Sequence, residues 1–381
     1  MTTIAITGVG GLMGRRLVAA LDDHADVERI VGLDVAAPQG LTSAKLAFRE
    51  LDVRSAELAE ALAGVDVLVH LAFQMDPLRD EELMRSINLD GTRNVFEAAD
   101  RAGVGHVVYP SSVAVYGAHP DNEFPLTESS PRRGTEGFTY SEHKRDVEAW
   151  LWPWLEAHPA PTVTVLRSAF VLGPGIDNFM TTLLELPRLP VVKGHRPPVQ
   201  FVHLDDIVGA IVHATERRLE GAFNVCAEGW LSFDEVVAIA GKQIVEVPEE
   251  VAVETAGRAW SLGLTELPPG MVAHLMHPWV MSPDALIATG WRPRHSNRDA
   301  VAEAARDHAP YISFGRGHVR RSTLRRAALS LAASAVIATI LGLRSRRVRR
   351  QTRRAIEEAA AIVGEQPRLG AWYDDPEDGG R

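Results

Sequence analysis

From Thr2 to about Phe223, short apolar runs rich in β-branched residues alternate with stretches of helical period. The runs read TIAITG, RIVGLD, AFRELD, DVLVHLA, HVVYPSS, TVTVLRS and AFNVC. Their hydrophobicity is nearly continuous, as strands covered on both faces require. Between them, Met13–Asp22, Ala56–Ala63, Glu81–Ala102 and Tyr140–Ala157 place apolar residues on one helical face. Strand–helix–strand repetition predicts an α/β fold, a doubly wound parallel sheet with helices on both sides.

Longer Pro- and Gly-rich segments, Gly117–Gly137, Gly173–Val202 and Cys226–Trp291, interrupt the later half. Inserts after strand ends of a doubly wound sheet sit over its ligand crevice, so 169–305 is expected to be mainly a smaller substrate-binding lobe. Residues 1–168 then form most of the nucleotide-binding domain, with its sheet completed by about 200–226, and 306–381 form a separate tail.

Composition narrows the setting. Apolar residues make up 46% of the chain and charged ones 24%, as in an ordinary globular enzyme. The lone cysteine, Cys226, has no partner for a disulfide, and Cys/His metal spacings are absent, which favours a reducing cytoplasm. No signal peptide is visible at the start. The net charge of −10 hides 12 arginines and no acid between Arg316 and Arg354. The body is therefore acidic, and nucleic acid is not an expected partner.

Directly after the first run stands TGVGGLMG, with Gly8, Gly11 and Gly14 in a TGxxGxxG pattern. Gly8 permits the tight turn, Gly11 lets the backbone approach a pyrophosphate, and Gly14 lets the helix pack close to the sheet. The helix that follows offers its N-terminal amides, those of Leu12 and Met13 among them, to the diphosphate. This is a Rossmann-type arrangement. Asp34 ends the second run, where an acid accepts from adenosine ribose hydroxyls and repels a 2′-phosphate, so NAD is expected rather than NADP. Asp52, followed by Val53, suits either a contact to the adenine amine or a helix cap.

YSEHK puts Tyr140 and Lys144 on one helical face. A tyrosine with an ordinary pKa near 10 is a poor base, and a neighbouring ammonium is expected to lower it. Ser112 closes the fifth run upstream, in PSSVAVYG, beside the expected crevice.

Taken in order, TGxxGxxG, His70–Ala72, INLDGTRN (Ile87–Asn94), SSVAVYG, YxxxK and FVHLDD (Phe201–Asp206) resemble the extended short-chain dehydrogenases/reductases. The likeness is to the NAD-dependent epimerase/dehydratase family, of the UDP-glucose 4-epimerase-like kind, and covers about Thr2–Trp291. It implies Tyr140 as general acid/base, Ser112 rather than Ser111 on the same substrate oxygen, and Lys144 on the nicotinamide ribose. It also implies Asn88 near the active site, with Leu71 and Ala72 against the cofactor. A homodimer is a further family expectation.

Departures from the family pattern bear on the substrate. Val113–Ala114 replace the acidic pair of dehydratases. Phe170 stands where epimerases carry a nucleotide-contacting Asn, and Val199–Gln200 where they carry an Arg. Phe73, Met75, Phe170 and Phe179 suggest a rather apolar pocket, although each equally suits a core position. The expected reaction is hydride transfer at a secondary hydroxyl of a small molecule. A nucleotide-sugar epimerase is the family default, a hydroxysteroid- or lipid-type dehydrogenase acting on an apolar alcohol the runner-up, and a non-catalytic NAD-binding sensor or membrane scaffold the rival from another class. His203, Asp205 and Asp206 read as a helix entry, with an Asp capping a helix from Ile207, and no metal is expected.

In the tail, Ala327–Leu343 is 17 residues without charge, bracketed by arginines. A helix of that length spans roughly 25 Å, short of a bilayer core of about 30 Å. An interfacial helix is expected, with 316–354 making peripheral contact at the inner membrane face. A helix packed on the body or a partner, and a true span, are the alternatives.

Overall fold

In the computed structural model, which describes residues 1–320 apart from 39, 77, 79, 187, 263, 264, 266, 267, 315 and 316, all seven apolar runs become strands of one parallel sheet. In chain order the strands are β1 (Thr2–Thr7), β2 (Val27–Asp34), β3 (Leu46–Glu50), β4 (Val67–His70), β5 (His106–Ser112), β6 (Thr162–Ser168), β7 (Phe170–Leu172), β8 (Arg188–Val192), β9 (Phe201–His203), β10 (Gly221–Val225) and β11 (Gln243–Val247). The large sheet runs β10-β6-β5-β4-β1-β2-β3, while β7 pairs with β9 and β8 with β11. Strand order reverses between β1 and β4, whose register sets Thr7 opposite His70. A crevice opens at such a reversal, outside the carboxyl ends of the strands.

The helices are α1 (Leu12–Asp22), α2 (Leu58–Ala61), α3 (Glu81–Arg85), α4 (Gly91–Ala102), α5 (Thr139–Ala157), α6 (Phe179–Glu185), α7 (Leu204–Arg217), α8 (Phe233–Ala240), α9 (Glu249–Ser261), α10 (Asp284–Ala288) and α11 (Asn297–His308). Successive strand residues feed two cores, because side chains of a strand alternate between faces. Ile4, Ile6, Val67 and Val69 pack with Leu17 and Val18 of α1 and Ile207 and Ile211 of α7. Ala5, Leu33, Leu68 and Val107 pack with Phe96 of α4 and Val147 and Leu151 of α5.

Two helical expectations change. The stretch 81–102 is not one α-helix: a π turn over Ser86–Asp90 separates α3 from α4. The wider turn brings Asn88 inward, fully buried, and Gly91 at its end sits where a Cβ would meet Val53 at 2.8 Å. Helix α7 begins at Leu204 rather than Ile207, and its cap is His203, whose Nδ1 accepts the Asp205 N–H at 3.2 Å. Asp206 instead reaches across to accept the backbone N–H groups of Arg294 and His295.

A buried ionic network fixes α5 to the sheet. Arg167 of β6, 1% exposed, donates to Glu148 of α5, to the Tyr116 hydroxyl and to the Glu128 carbonyl. Glu148 also accepts from Ser111 of β5 at 2.7 Å.

The chain divides into two compact units, Met1–His308 and Ala309–Arg381. In the second, β12 (Tyr311–Phe314) and β13 (Gly317–Arg320) form an antiparallel pair. The charge-free stretch 327–343 lies outside the described residues. Among the described residues no helix is long and apolar enough to cross a membrane.

Candidate active site

The glycine loop joins β1 to α1 at the crevice. Gly8 has φ +74°, and a Cβ there would meet the Ala72 nitrogen at 2.7 Å, so only glycine lets β1 turn beneath the Leu71–Ala72 segment. At Gly14 a Cβ would strike the Gly8 carbonyl at 2.5 Å. At Gly11 the nearest atom is that same carbonyl, at 3.3 Å, and the side that a Cβ would occupy is otherwise open. Gly11 caps α1 without any side-chain hydrogen bond, which leaves the first amides of the helix, at Leu12 and Met13, facing outward from its N-terminus.

Asp34 fastens this loop. Its carboxylate accepts the Gly10 N–H at 2.8 Å and the Val35 N–H at 2.7 Å. Asp52 is engaged by Arg54, through the guanidinium and the backbone N–H, and does not cap α2, whose cap position is Glu57. Val53 is buried, with its carbonyl accepting from Asn94. Leu71 and Ala72 are held by a chain the sequence did not disclose. Thr7 Oγ1 bonds His70 Nδ1 at 2.7 Å, His70 Nε2 bonds Thr92 at 3.0 Å, and the Ala72 N–H donates to Thr7. Burial keeps His70 neutral, with a pKa of about 3.

Across the crevice, β5 and α5 bring Ser112, Tyr140 and Lys144 together. Burial pushes the Tyr140 phenol above its ordinary value, and hydrogen bonding from the Ser112 hydroxyl opposes this. Lys144 Nζ donates to the Pro110 carbonyl at 2.9 Å and to the Tyr109 hydroxyl at 3.2 Å. It lies 3.7 Å from the centroid of the Phe73 ring and 5.9 Å from that of Tyr140. Burial brings Lys144 down to about 7, against the pull of Glu148. The expected lowering of the Tyr140 pKa by a neighbouring ammonium is thus not found in the protein alone. The lysine is itself desolvated and turned toward Tyr109 and Pro110.

The remaining candidates separate. Asn88 spends its amide on structure: Oδ1 accepts the Gln74 N–H at 2.7 Å, and Nδ2 donates to the Gln74 carbonyl and faces His143 Nδ1. It positions the Gln74 loop rather than presenting a free group to a substrate. Phe73 packs edge-on to Tyr140 with ring centroids 5.8 Å apart. Met75, also expected in an apolar pocket, is 57% exposed. Phe179 opens α6, and its side chain lies outside the described residues.

Phe170 does line a pocket, together with Met180, Leu184, Leu189, Val199, His274, Trp279 and other apolar side chains. Of these, Phe170 was expected in an apolar pocket, and it and Val199 were marked as departures from a family pattern. His274 and Trp279 lie in the 226–291 stretch, whose lack of periodicity hides which positions face inward.

Among the described residues one group has the makings of a metal site: ligand atoms of His203, Asp205 and His295 within 4.8 Å of one another. Both nitrogens of His203 are engaged, by the Asp205 N–H and by Glu303, and its ring stacks on His295 at 3.8 Å.

A glycine-loop crevice at the strand reversal, with a serine, a tyrosine and a lysine gathered on its far rim, defines a short-chain dehydrogenase/reductase of the extended kind. Residues 4–226 match the model of the NAD-dependent epimerase/dehydratase family, and the chain belongs to that family. An uncharacterised protein of Mycobacterium tuberculosis strain H37Rv is 27% identical over 308 residues, 78% of this chain and 81% of that one. Short-chain dehydrogenase/reductase family 42E member 1 of Xenopus laevis is 28% identical over 229 residues, 56% of this chain and 58% of that one. Among solved structures, UDP-glucose 4-epimerase of Thermus thermophilus in complex with NAD matches with TM-score 0.62 and 22% identity, over 81% of this chain and 99% of that one. MoeE5 in complex with UDP-glucuronic acid and NAD matches with TM-score 0.63 and 21% identity over the same shares. At these identities the structural likeness shows the fold.

NAD is the cofactor of this family, and the loop fits its diphosphate. The open side of Gly11 and the uncapped amides of α1 form a cradle that any side chain at position 11 would begin to fill.

Proposed function

We propose that the protein is an NAD-dependent oxidoreductase that interconverts a secondary alcohol and its ketone by hydride transfer. The observation that carries this reading is the convergence of Ser112, Tyr140 and Lys144 from β5 and α5 on the crevice rim. NAD, when bound along Gly8–Met13 with its ribose toward Asp34, supplies the acceptor for the carbinol hydride and a positive charge over the site. As the phenolate, Tyr140 takes the hydroxyl proton and returns it in the reverse direction; the positive charge that NAD would bring offsets the burial that otherwise keeps the phenol protonated. Ser112 hydrogen-bonds the same substrate oxygen and holds it against Tyr140. Lys144, brought down to about 7 by burial, supplies a cation to the site when it is protonated. Phe73 covers Lys144 and excludes water from it.

Net dehydrogenation and epimerisation share this step. A dehydrogenase accumulates NADH, whereas an epimerase returns hydride to the ketone and shows no net change. Replacing Tyr140 by Phe is expected to lower turnover about 10²- to 10⁴-fold, read as NADH formation or epimer appearance, while the calorimetric NAD affinity stays unchanged. Full turnover in that variant would overturn the mechanism.

A further inference from the structure

A protonated lysine has three hydrogen-bond donors, and Lys144 turns them in three directions. Its Nζ donates to the Pro110 carbonyl at 2.9 Å and to the Tyr109 hydroxyl at 3.2 Å, both on β5. In the remaining direction the face of Phe73 lies 3.7 Å away, ring centroid to nitrogen, well within cation–π range. Together these contacts leave Lys144 4% exposed. Phe73 follows directly on Leu71 and Ala72, and a Cβ on Gly8 would meet the Ala72 nitrogen at 2.7 Å. The side of the ammonium that Phe73 covers is therefore the side toward the glycine loop. A cofactor group that is to accept from Lys144 meets the ring first.

The backbone around Phe73 is pinned on both sides. The Ala72 N–H donates to Thr7 Oγ1 at 3.3 Å. Asn88, fully buried, clamps Gln74 at its N–H and at its carbonyl, at 2.7 and 2.9 Å. Lifting the segment would break these bonds, whereas the partly buried Phe73 side chain has other staggered positions about χ1. The ring also packs edge-on to Tyr140, with centroids 5.8 Å apart, so a turn of Phe73 uncovers the lysine and one flank of the phenol together.

We propose that Phe73 is a positioning residue that competes with the nicotinamide ribose for Lys144, so that the ribose must turn the ring aside to reach the ammonium. The proposal rests on the reading that Lys144 meets this ribose, and adds what the ribose displaces. With the ring turned, the ribose takes over its part in keeping water from the ammonium. The cation–π contact that is lost offsets some of the affinity that the ribose gains.

Calorimetry on the full chain with ADP and ADP-ribose tests this. The two ligands differ by the ribose alone, and neither carries a nicotinamide for Phe73 to touch. Phe73→Leu keeps apolar volume over Lys144 and removes the π face. In that variant the preference for ADP-ribose over ADP is expected to rise about five- to tenfold above wild type, with ADP itself within about twofold. Adding Lys144→Met is expected to cancel the rise, as a double-mutant cycle requires when two groups act through one contact. Should Phe73→Leu fold poorly, Phe73→Ala removes the same ring face and takes its place in the comparison. A preference that stays level or falls when the ring is removed overturns the proposal. Failure of the underlying reading looks different: the rise appears and survives Lys144→Met, which would mean that Phe73 obstructs a ribose bound elsewhere, and the proposed competition falls with it.

Discussion

Lys144 spends its donors inside the protein, on a carbonyl, a phenol and the face of a phenylalanine. An ammonium so placed is costly, and the cost has a pH signature. The folded pKa is about 7 and the ordinary value 10.5, so between these limits the unfolded chain binds more protons. Stability then rises with pH across that window and is lost as pH falls toward 7. Tyr109 and Tyr140, raised by burial, act in the opposite sense above pH 10. Urea midpoints measured from pH 7 to 9 are therefore expected to climb in the wild type, and Lys144→Met is expected to flatten the climb. An unchanged slope in that variant would place the titration elsewhere. The identity of this lysine was legible from the four-residue spacing to Tyr140. Its low pKa was not, because Phe73 and Tyr109, which bury it, are 71 and 35 positions away.

At the scale of elements, the helix bearing Tyr140 and Lys144 is anchored one turn further on by Glu148. That carboxylate is fully buried and binds Arg167 at 2.6 Å. Removing one partner of such a pair strands the other charge, so Glu148→Ala is expected to cost about 3–5 kcal/mol, measured by denaturant unfolding. A Glu148→Leu/Arg167→Met double variant should recover much of this, whereas equal losses in both would mean that packing rather than charge dominates. The seven sheet strands could be read directly because apolar β-branched runs of that length have few other uses. The π turn at Ser86–Asp90 could not, since one widened turn barely disturbs a 3.6-residue period. The walls of the apolar pocket were equally hidden. Met180 and Leu184 sit on α6, a seven-residue helix too short to show a period, and Val199 was visible only as an arginine that is not there.

Over the whole molecule, several histidines are buried and held neutral. His70, at about 3, lies beneath the crevice, His106, at about 4, bridges β5 and β6, and His274, at about 3, lines the pocket. Burial depresses each below the ordinary 6.5, so the unfolded chain takes up protons first as the medium is acidified. The stability they contribute is complete above pH 6.5 and is lost progressively as pH falls toward 3 or 4. Unfolding midpoints are expected to drop steeply below pH 6.5, and His106→Gln to make the drop shallower. A slope identical to wild type would assign the acid sensitivity to carboxylates instead.

The position of β10 has a consequence for how the chain is made. It lies at the outer edge beside β6, joined by parallel pairs from Gly221↔Thr164 to Val225↔Ser168, and everything from 169 to 220 must be synthesised before it arrives. On the ribosome, β6 is therefore for some time the outermost strand, its amides and carbonyls open to any neighbouring nascent chain. A message truncated before codon 221 leaves that edge open permanently, and its product should collect in the insoluble fraction.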